Sequence, residues 1–447
     1  MENERLVVRS SRNRRITDVV TWILRISVGS VFIFSGFVKA VDPWGTLYKV
    51  DAYLSALSLD IWPNLELAGV FALCAAEFVV GVLLAAGCLR RSIAVVILLL
   101  MAIMLPLSLW IAISDPVDDC GCFGDALVIS NWATFWKNVF LTLAVVWLVI
   151  YNRRCHWLIT PALQWISILL SSIFILVIEI YGYGSQPLID FRQYRQGEPI
   201  IDQEEMDSSD TAFKFIYEKE GQREEFSADD ELPDESEGWV FVDRKEIPVS
   251  GNVSDNVEEH KNLRIYDREG SEDLTEEAID NEGKELLVMI PDLAQVSPAT
   301  TWKLNSLYEW SVKHNVRMVG IVSGSLSEIE EWEDLSMASY PIYTADDTQI
   351  KEVVRGNPGI VYLEAGKIIW KSTLSAISID DFLSPDTAGS AREFGVDNAG
   401  ILRHCTSLYV IGMLVLVCLS FAPSLRHIIH GGKARRAESS SPDTPAQ

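Results

Sequence analysis

The sequence predicts a mainly α-helical transmembrane bundle, a four-helix core within about six spans, joined to an extracytoplasmic α/β domain. Three observations predict it. Apolar runs of membrane-crossing length recur over the first 181 residues and once more near the C-terminal end. Basic residues cluster in the short segments between alternate runs. Residues 182–405 carry 47 Asp+Glu against 20 Lys+Arg, a net charge of −27 in a chain whose total is −25. The acidity therefore belongs to one block, which keeps a domain soluble and repels nucleic acid and anionic headgroups, so a nucleic-acid partner is excluded.

The spans are expected at 17–41, 65–87, 91–113, 132–151, 157–181 and 406–423, each close to the ~20 residues that cross hydrocarbon. Lys137 interrupts the fourth near its start, and Pro423 ends the last. Residues 1–16 carry Arg5, Arg9, Arg12, Arg14 and Arg15, Arg90 and Arg91 join the second and third spans, Arg153 and Arg154 join the fourth and fifth, and Arg426, Lys433, Arg435 and Arg436 lie in the tail 424–447. With every span real, all these groups fall on one face. The positive-inside rule makes that face cytoplasmic, with both termini on it, and the chain a multi-pass protein of the inner (cytoplasmic) membrane with its large domain periplasmic. A signal peptide in place of the first span is disfavoured by the long apolar stretch and the lack of a small-residue cleavage site.

Ionisable groups inside spans need partners. Arg25 and Glu77 lie roughly 12–15 Å above the cytoplasmic ends of the first and second spans, counted at ~1.5 Å per residue, so they are expected to form an intramembrane pair. That pair either fixes packing or makes Glu77 a proton carrier. Lys39 and Glu179, near the outer boundary, are expected to snorkel to the interface.

Cys74, Cys88, Cys155, Cys405 and Cys418 stand singly in or beside apolar runs and read as small hydrophobes. Cys120 and Cys122 stand apart, in the outer loop Asp118-Asp119-Cys120-Gly121-Cys122-Phe123-Gly124-Asp125, where thiols are oxidised. A Cys-Gly-Cys ring is small and strained, and strain favours exchange over stapling. Acidic neighbours such as Asp119 would raise a thiol pKa, whereas Lys137 would lower it. An exchange-active pair, a structural disulfide and a soft-metal site all remain open here, though no nearby His or further Cys completes a metal set, so no metal is expected.

Residues 182–283 form an acidic linker with small β elements, among them Phe213–Tyr217 and Trp239–Val242. Within 284–385, Leu286–Ile290 reads as a buried strand, 298–314 as a helix and Val316–Val322 as a second strand, the signature of a parallel α/β unit. A short strand at Ile342-Tyr343, a helix near 347–354 and the hairpin Ile360–Leu363 with Ile368–Trp370 complete it.

That order resembles the thioredoxin fold, with Pro358 in the place of its cis-proline, and the resemblance puts the redox cysteines within Pro291–Pro298. There are none there, so it implies a recognition module without redox chemistry of its own. Residues 17–151 resemble the DoxX and MauE-like membrane families, on Arg25–Phe32, on Ser35-Gly36-Phe37-Val38-Lys39-Ala40-Val41-Asp42-Pro43 and on Asp119-Cys120-Gly121-Cys122-Phe123-Gly124. The resemblance implies a four-helix bundle and, for MauE, a link to methylamine utilisation in which disulfide formation in an exported dehydrogenase subunit is assisted. The bundle is also similar to quinone-linked disulfide-forming proteins. The whole arrangement looks like two-part proteins of Bacteroidetes.

Two functional readings follow. In one the chain is a thiol–disulfide oxidoreductase in which Cys120 and Cys122 exchange electrons, a quinone in the bundle accepts them and the outer domain recognises a protein client. Cys74 and Cys88 are placed too deep or too close to the cytoplasm to supply a second pair. In the other the chain is a non-enzymatic scaffold in the lipid membrane, with Cys120 and Cys122 tying a loop and the outer domain binding a periplasmic partner.

Overall fold

Helix-breaking signals set the element ends before packing does. In the computed structural model, which describes residues 2–57, 59, 61–115, 120–152, 157–201, 211–219, 222–227, 240–248, 263–378 and 391–438, α1 (Glu2–Val41) gives way at Asp42 to α2 (Pro43–Ala56). Asp42 caps α2 by accepting from the Gly45 N–H at 3.0 Å, and Pro43 occupies the first helical position, where no donor is needed. Pro63 likewise opens α3 (Pro63–Ala86), and Gly87 closes it at φ 73°, a left-handed turn that favours glycine. Next come α4 (Arg90–Ser114), α5 (Asn131–Tyr151) and α6 (Gln164–Gly184), and α10 (Asn398–Glu438) ends the described chain.

Six helices among the described residues are long and apolar enough to cross a membrane, over Arg14–Val41, Pro63–Ala86, Arg90–Ser114, Asn131–Tyr151, Pro161–Gly184 and Asn398–Ala422. Ile103, Phe140, Leu143, Ile180 and Leu408 stand exposed on their outward faces, the apolar exterior that lipid requires. The last span begins eight residues earlier than the expected Thr406, because Asn398 and its neighbours continue the helix toward the α/β domain.

Packing between α1 and α3 is the closest in the bundle. A Cβ on Gly36 would lie 2.4 Å from the Phe78 nitrogen, and one on Gly81 would lie 2.6 Å from the Ile33 nitrogen. Only glycine permits backbones that near. The same contacts fix the antiparallel register, with Gly29 against Gly81 and Ala85, and Gly36 against Cys74 and Phe78.

The α/β domain holds a five-stranded mixed sheet. Its strands are β4 (Lys284–Ile290), β5 (Arg317–Val322), β6 (Ile342–Thr344), β7 (Gly359–Glu364) and β8 (Lys367–Thr373), in the order β6-β5-β4-β7-β8. β4, β5 and β6 run parallel, and β7 and β8 antiparallel. A separate antiparallel sheet, β2-β1-β3, comes from β1 (Thr211–Lys219), β2 (Gln222–Ser227) and β3 (Val240–Pro248). On one face of the five-stranded sheet, α7 (Thr301–Lys313) and α8 (Leu326–Ser336) bury Leu304, Leu307, Ile329 and Trp332. On the other face lie α9 (Asp347–Val353), Tyr194, Ile200, Leu263 and Ile265, so segments assigned by sequence to the linker complete the core. The Asn357–Pro358 peptide bond is cis.

Candidate functional site

The loop between α4 and α5 folds back on the end of α1. Gly121 and Gly124 both take positive φ, 61° and 53°, and the Gly124 N–H donates to the Gly121 carbonyl at 3.0 Å. This turn brings the Cys120 and Cys122 sulfurs to 3.3 Å as a pair of thiols. Cys120 is half-buried and Cys122 is buried. A Cβ on Gly121 would strike the Lys49 side chain of α2, which covers the turn.

The two sulfurs are held in unequal states. The hydrogen bond from Cys120, then the positive charges of Lys137 and Lys39, hold the Cys122 thiol below the usual range against the opposing effect of burial. Cys120 moves the opposite way, chiefly because its proton is engaged by Cys122 and then because it is itself partly buried, while a hydrogen bond with Tyr53 of α2 works against the rise. Lys137 sits with its Nζ 4.2 Å from the centre of the ring of Phe123, the residue next to Cys122. Asp119, the other expected neighbour, lies outside the described residues, as do Asp118 and Cys155.

The expected pair of Arg25 and Glu77 is not formed. Lys39 Nζ donates to the two Glu77 oxygens at 2.9 and 2.7 Å, while Arg25 stacks on Trp22 at 4.3 Å. The reason is register: with Gly29 facing Ala85 and Gly36 facing Phe78, Glu77 is level with Ser35, and Arg25 is level with the Gly87–Cys88 turn. Heights counted from the span ends missed this offset. Lys39 therefore turns inward instead of snorkelling, and Glu179 is also buried, both of its carboxylate oxygens without a hydrogen-bond partner in the structure. Cys74 lies closer to the loop than the sequence implied, since its carbonyl faces Gly36. Cys88 sits at the opposite end of α3, its thiol pushed up to about 11 by burial.

Ser35 links the buried ions to the loop. Its Oγ lies 2.8 Å from Glu77 Oε2 and 2.7 Å from the Cys122 carbonyl oxygen, and it accepts from Lys39 at 3.1 Å. The spacing of Ser35 and Lys39 places both on one helix face, which was the available signal for their joint role.

The α/β domain reaches the same loop. Arg355, two residues before the cis bond, binds Asp42 with Nε at 2.9 Å and Nη2 at 2.8 Å, and its Nη2 also binds Asp125 at 2.9 Å. Lys49 Nζ is 3.4 Å from the other Asp125 oxygen. Gln186 closes a double hydrogen bond with the Arg355 main chain at 2.7 and 3.0 Å. Burial would raise the Asp42 carboxyl, but the Arg355 guanidinium holds it below the usual range. Arg355 was invisible to sequence reasoning because its partners lie about 230 and 313 residues away.

Among the described residues no group of three His, Cys, Asp or Glu is placed to hold a metal ion.

No curated protein and no solved structure matches the chain. Residues 211–250 match the model of a domain of unknown function, DUF8463. Residues 17–151, the segment that supplies Ser35, Lys39, Glu77 and both loop cysteines, match the family model of Methylamine utilisation protein MauE, and this part of the chain is a MauE family domain in a multi-pass membrane protein.

Proposed function

We propose that the chain is the membrane component of a methylamine-utilisation-like system and that Cys120 and Cys122 are its thiol–disulfide exchange pair. The observation that carries this reading is the asymmetry of two sulfurs 3.3 Å apart, a half-buried Cys120 and a buried Cys122 beside the Lys137 and Lys39 charges, which favour its anion. In the oxidised pair a client thiolate attacks the Cys120 sulfur, a new S–S bond forms to it, and the Cys120–Cys122 bond breaks with its electrons passing to Cys122. The positive charges of Lys137 and Lys39 remain beside Cys122 while Cys120 is bonded to another sulfur, and they make Cys122 the better leaving group. A second client thiolate then attacks the client sulfur of the mixed disulfide and expels Cys120, which takes up a proton. The client has lost two electrons and the pair has gained them. A membrane quinone is the acceptor proposed for their onward transfer, and no step is derived through it.

The distribution of basic residues supports an orientation in which the loop and the α/β domain face the periplasm across the inner membrane. The strand order supports a thioredoxin-like α/β domain, and the loop Pro291–Pro298, which has no cysteine, supports a recognition role for it. The scaffold reading draws on the buried Arg355 contact, which ties domain to bundle without using the thiols.

Reduced glutathione added to the oxidised chain separates the two readings. With exchange, glutathione opens the Cys120–Cys122 disulfide, leaving two thiols in the wild type and oxidised glutathione in solution, and Cys122→Ser given oxidised glutathione retains glutathione on Cys120. A Cys120–Cys122 disulfide that persists in reduced glutathione would leave the scaffold reading standing.

A further inference from the structure

Ser35, Lys39 and Glu77 form a buried ionic cluster directly behind Cys122, and the exchange chemistry above uses the Lys39 charge but neither its partner Glu77 nor the link through Ser35. Lys39 and Glu77 are both nearly inaccessible, and their contact is 2.7 Å. Two charges withdrawn from water inside a helical bundle stabilise it no better than apolar side chains of the same size, so packing alone is a poor reason for them. Their placement is more informative. The Ser35 hydroxyl has one proton and two acceptors in reach, Glu77 Oε2 at 2.8 Å and the Cys122 carbonyl at 2.7 Å, while its own lone pair takes a Lys39 proton at 3.1 Å. One side chain thus couples the ion pair to the backbone of the reactive residue.

Charged and titratable groups stand around the sulfurs on every element packed there: Cys120 and Asp125 in the loop, Lys39 from α1, Lys49 and Tyr53 from α2, Glu77 from α3 and Lys137 from α5. Cys74 neighbours Lys39, Glu77 and Glu179. Lys49 pairs with Asp125 where both are part-exposed, whereas the buried Lys39 and Glu77 pair with each other and act on Cys122 with opposite signs.

We propose that Lys39 is the counter-charge for the Cys122 sulfur when that sulfur leaves as an anion, and that Glu77 sets how much of the Lys39 charge the sulfur feels. Ser35 holds both to the Cys122 main chain, and all three are positioning residues. The inference rests on the exchange reading and adds to it the device that makes Cys122 the leaving group. With the ion pair intact the cluster is neutral before the sulfur ionises. Removing one partner leaves the sulfur facing a lone charge of known sign.

The test is the pH dependence of iodoacetamide alkylation at Cys122, resolved by mass spectrometry on the full chain in detergent after chemical reduction. The midpoint reports ionisation whatever the access to the sulfur. Lys39→Met is expected to raise it and Glu77→Gln to lower it, each by on the order of one pH unit. Ser35→Ala slows alkylation and leaves the midpoint in place. The double variant Lys39→Met/Glu77→Gln, which leaves no lone buried charge, covers the case where a single variant does not fold, and its midpoint is expected to rise. Single variants that both move the midpoint in one direction, or a double variant that leaves it unchanged, would overturn the proposal. Because the pair is reduced chemically first, this readout stands even where exchange with a client fails.

Discussion

Arg355 and Asp125 are joined by a 2.9 Å ion pair that fastens the α/β domain to the loop three residues beyond Cys122. The guanidinium also binds Asp42, so one buried cation is shared between a carboxylate at the end of α1 and another in the cysteine loop. Removing it leaves two carboxylates without that partner. Arg355→Met is therefore expected to destabilise the docked arrangement by about 3–5 kcal/mol. Thermal unfolding in detergent, read together with protease sensitivity of the segment 185–201, checks this. Unfolding unchanged by the substitution would show that the ion pair does not hold the domain.

The same contact gives the docking a pH dependence. Arg355 holds the folded-state Asp42 carboxyl below its unfolded value. Its stabilisation is then fully present above about pH 4, the unfolded carboxylate range, and is lost as pH falls through the depressed folded value. Unfolding temperatures measured down through this range are expected to drop more steeply for the wild type than for Asp42→Asn.

Glu285 carries the opposite sign. Burial pushes this β4 carboxyl up to about 7, although the Asp280 N–H donates to it at 3.0 Å. A raised folded value means a contribution fully present below the unfolded carboxylate range, about pH 4, and lost as pH rises through about 7. Glu285→Gln is expected to stabilise the chain at pH 8 by about 2–3 kcal/mol and to do little at pH 4. Unfolding at the two pH values decides the point.

Gly36 tests the route from packing to chemistry. An added Cβ would meet the Phe78 backbone nitrogen at 2.4 Å, so Gly36→Ala must push α1 away from α3. Overpacking of this kind costs about 1–3 kcal/mol. It also separates Lys39 from Glu77, and the alkylation midpoint of Cys122 is expected to move together with the loss of stability.

Much of the architecture was legible because its signals are local. Five of the six spans ended within about four residues of their expected limits, since a run of ~20 apolar residues has few other solutions. β4, β5, α9 and the β7–β8 hairpin were equally plain from apolar runs and turn residues. Two of the longer helices were overlooked. α8 announced itself only through Ser325 and Glu328, which form a capping box, and α2 only through Asp42 and Pro43. The proximity of Cys120, Cys122 and Lys137 was legible because they are close in sequence. The pairing of Glu77 was misjudged because two helices of known depth can slide past each other, and only the contact at Gly36 and Gly81 fixes their register. Arg355 had no sequence signal at all, since an arginine in a soluble domain looks like any other surface charge until the two domains meet.

On the exchange reading Cys120 and Cys122 cycle between thiol and disulfide in the membrane. Acid quenching of native membranes, differential alkylation of the two cysteines and mass spectrometry, before and after the quinone pool is reduced, read that cycle without a client. A disulfide is expected in oxidised membranes and a dithiol once the pool is reduced. A pair that stays in one state under both conditions would rule the cycle out.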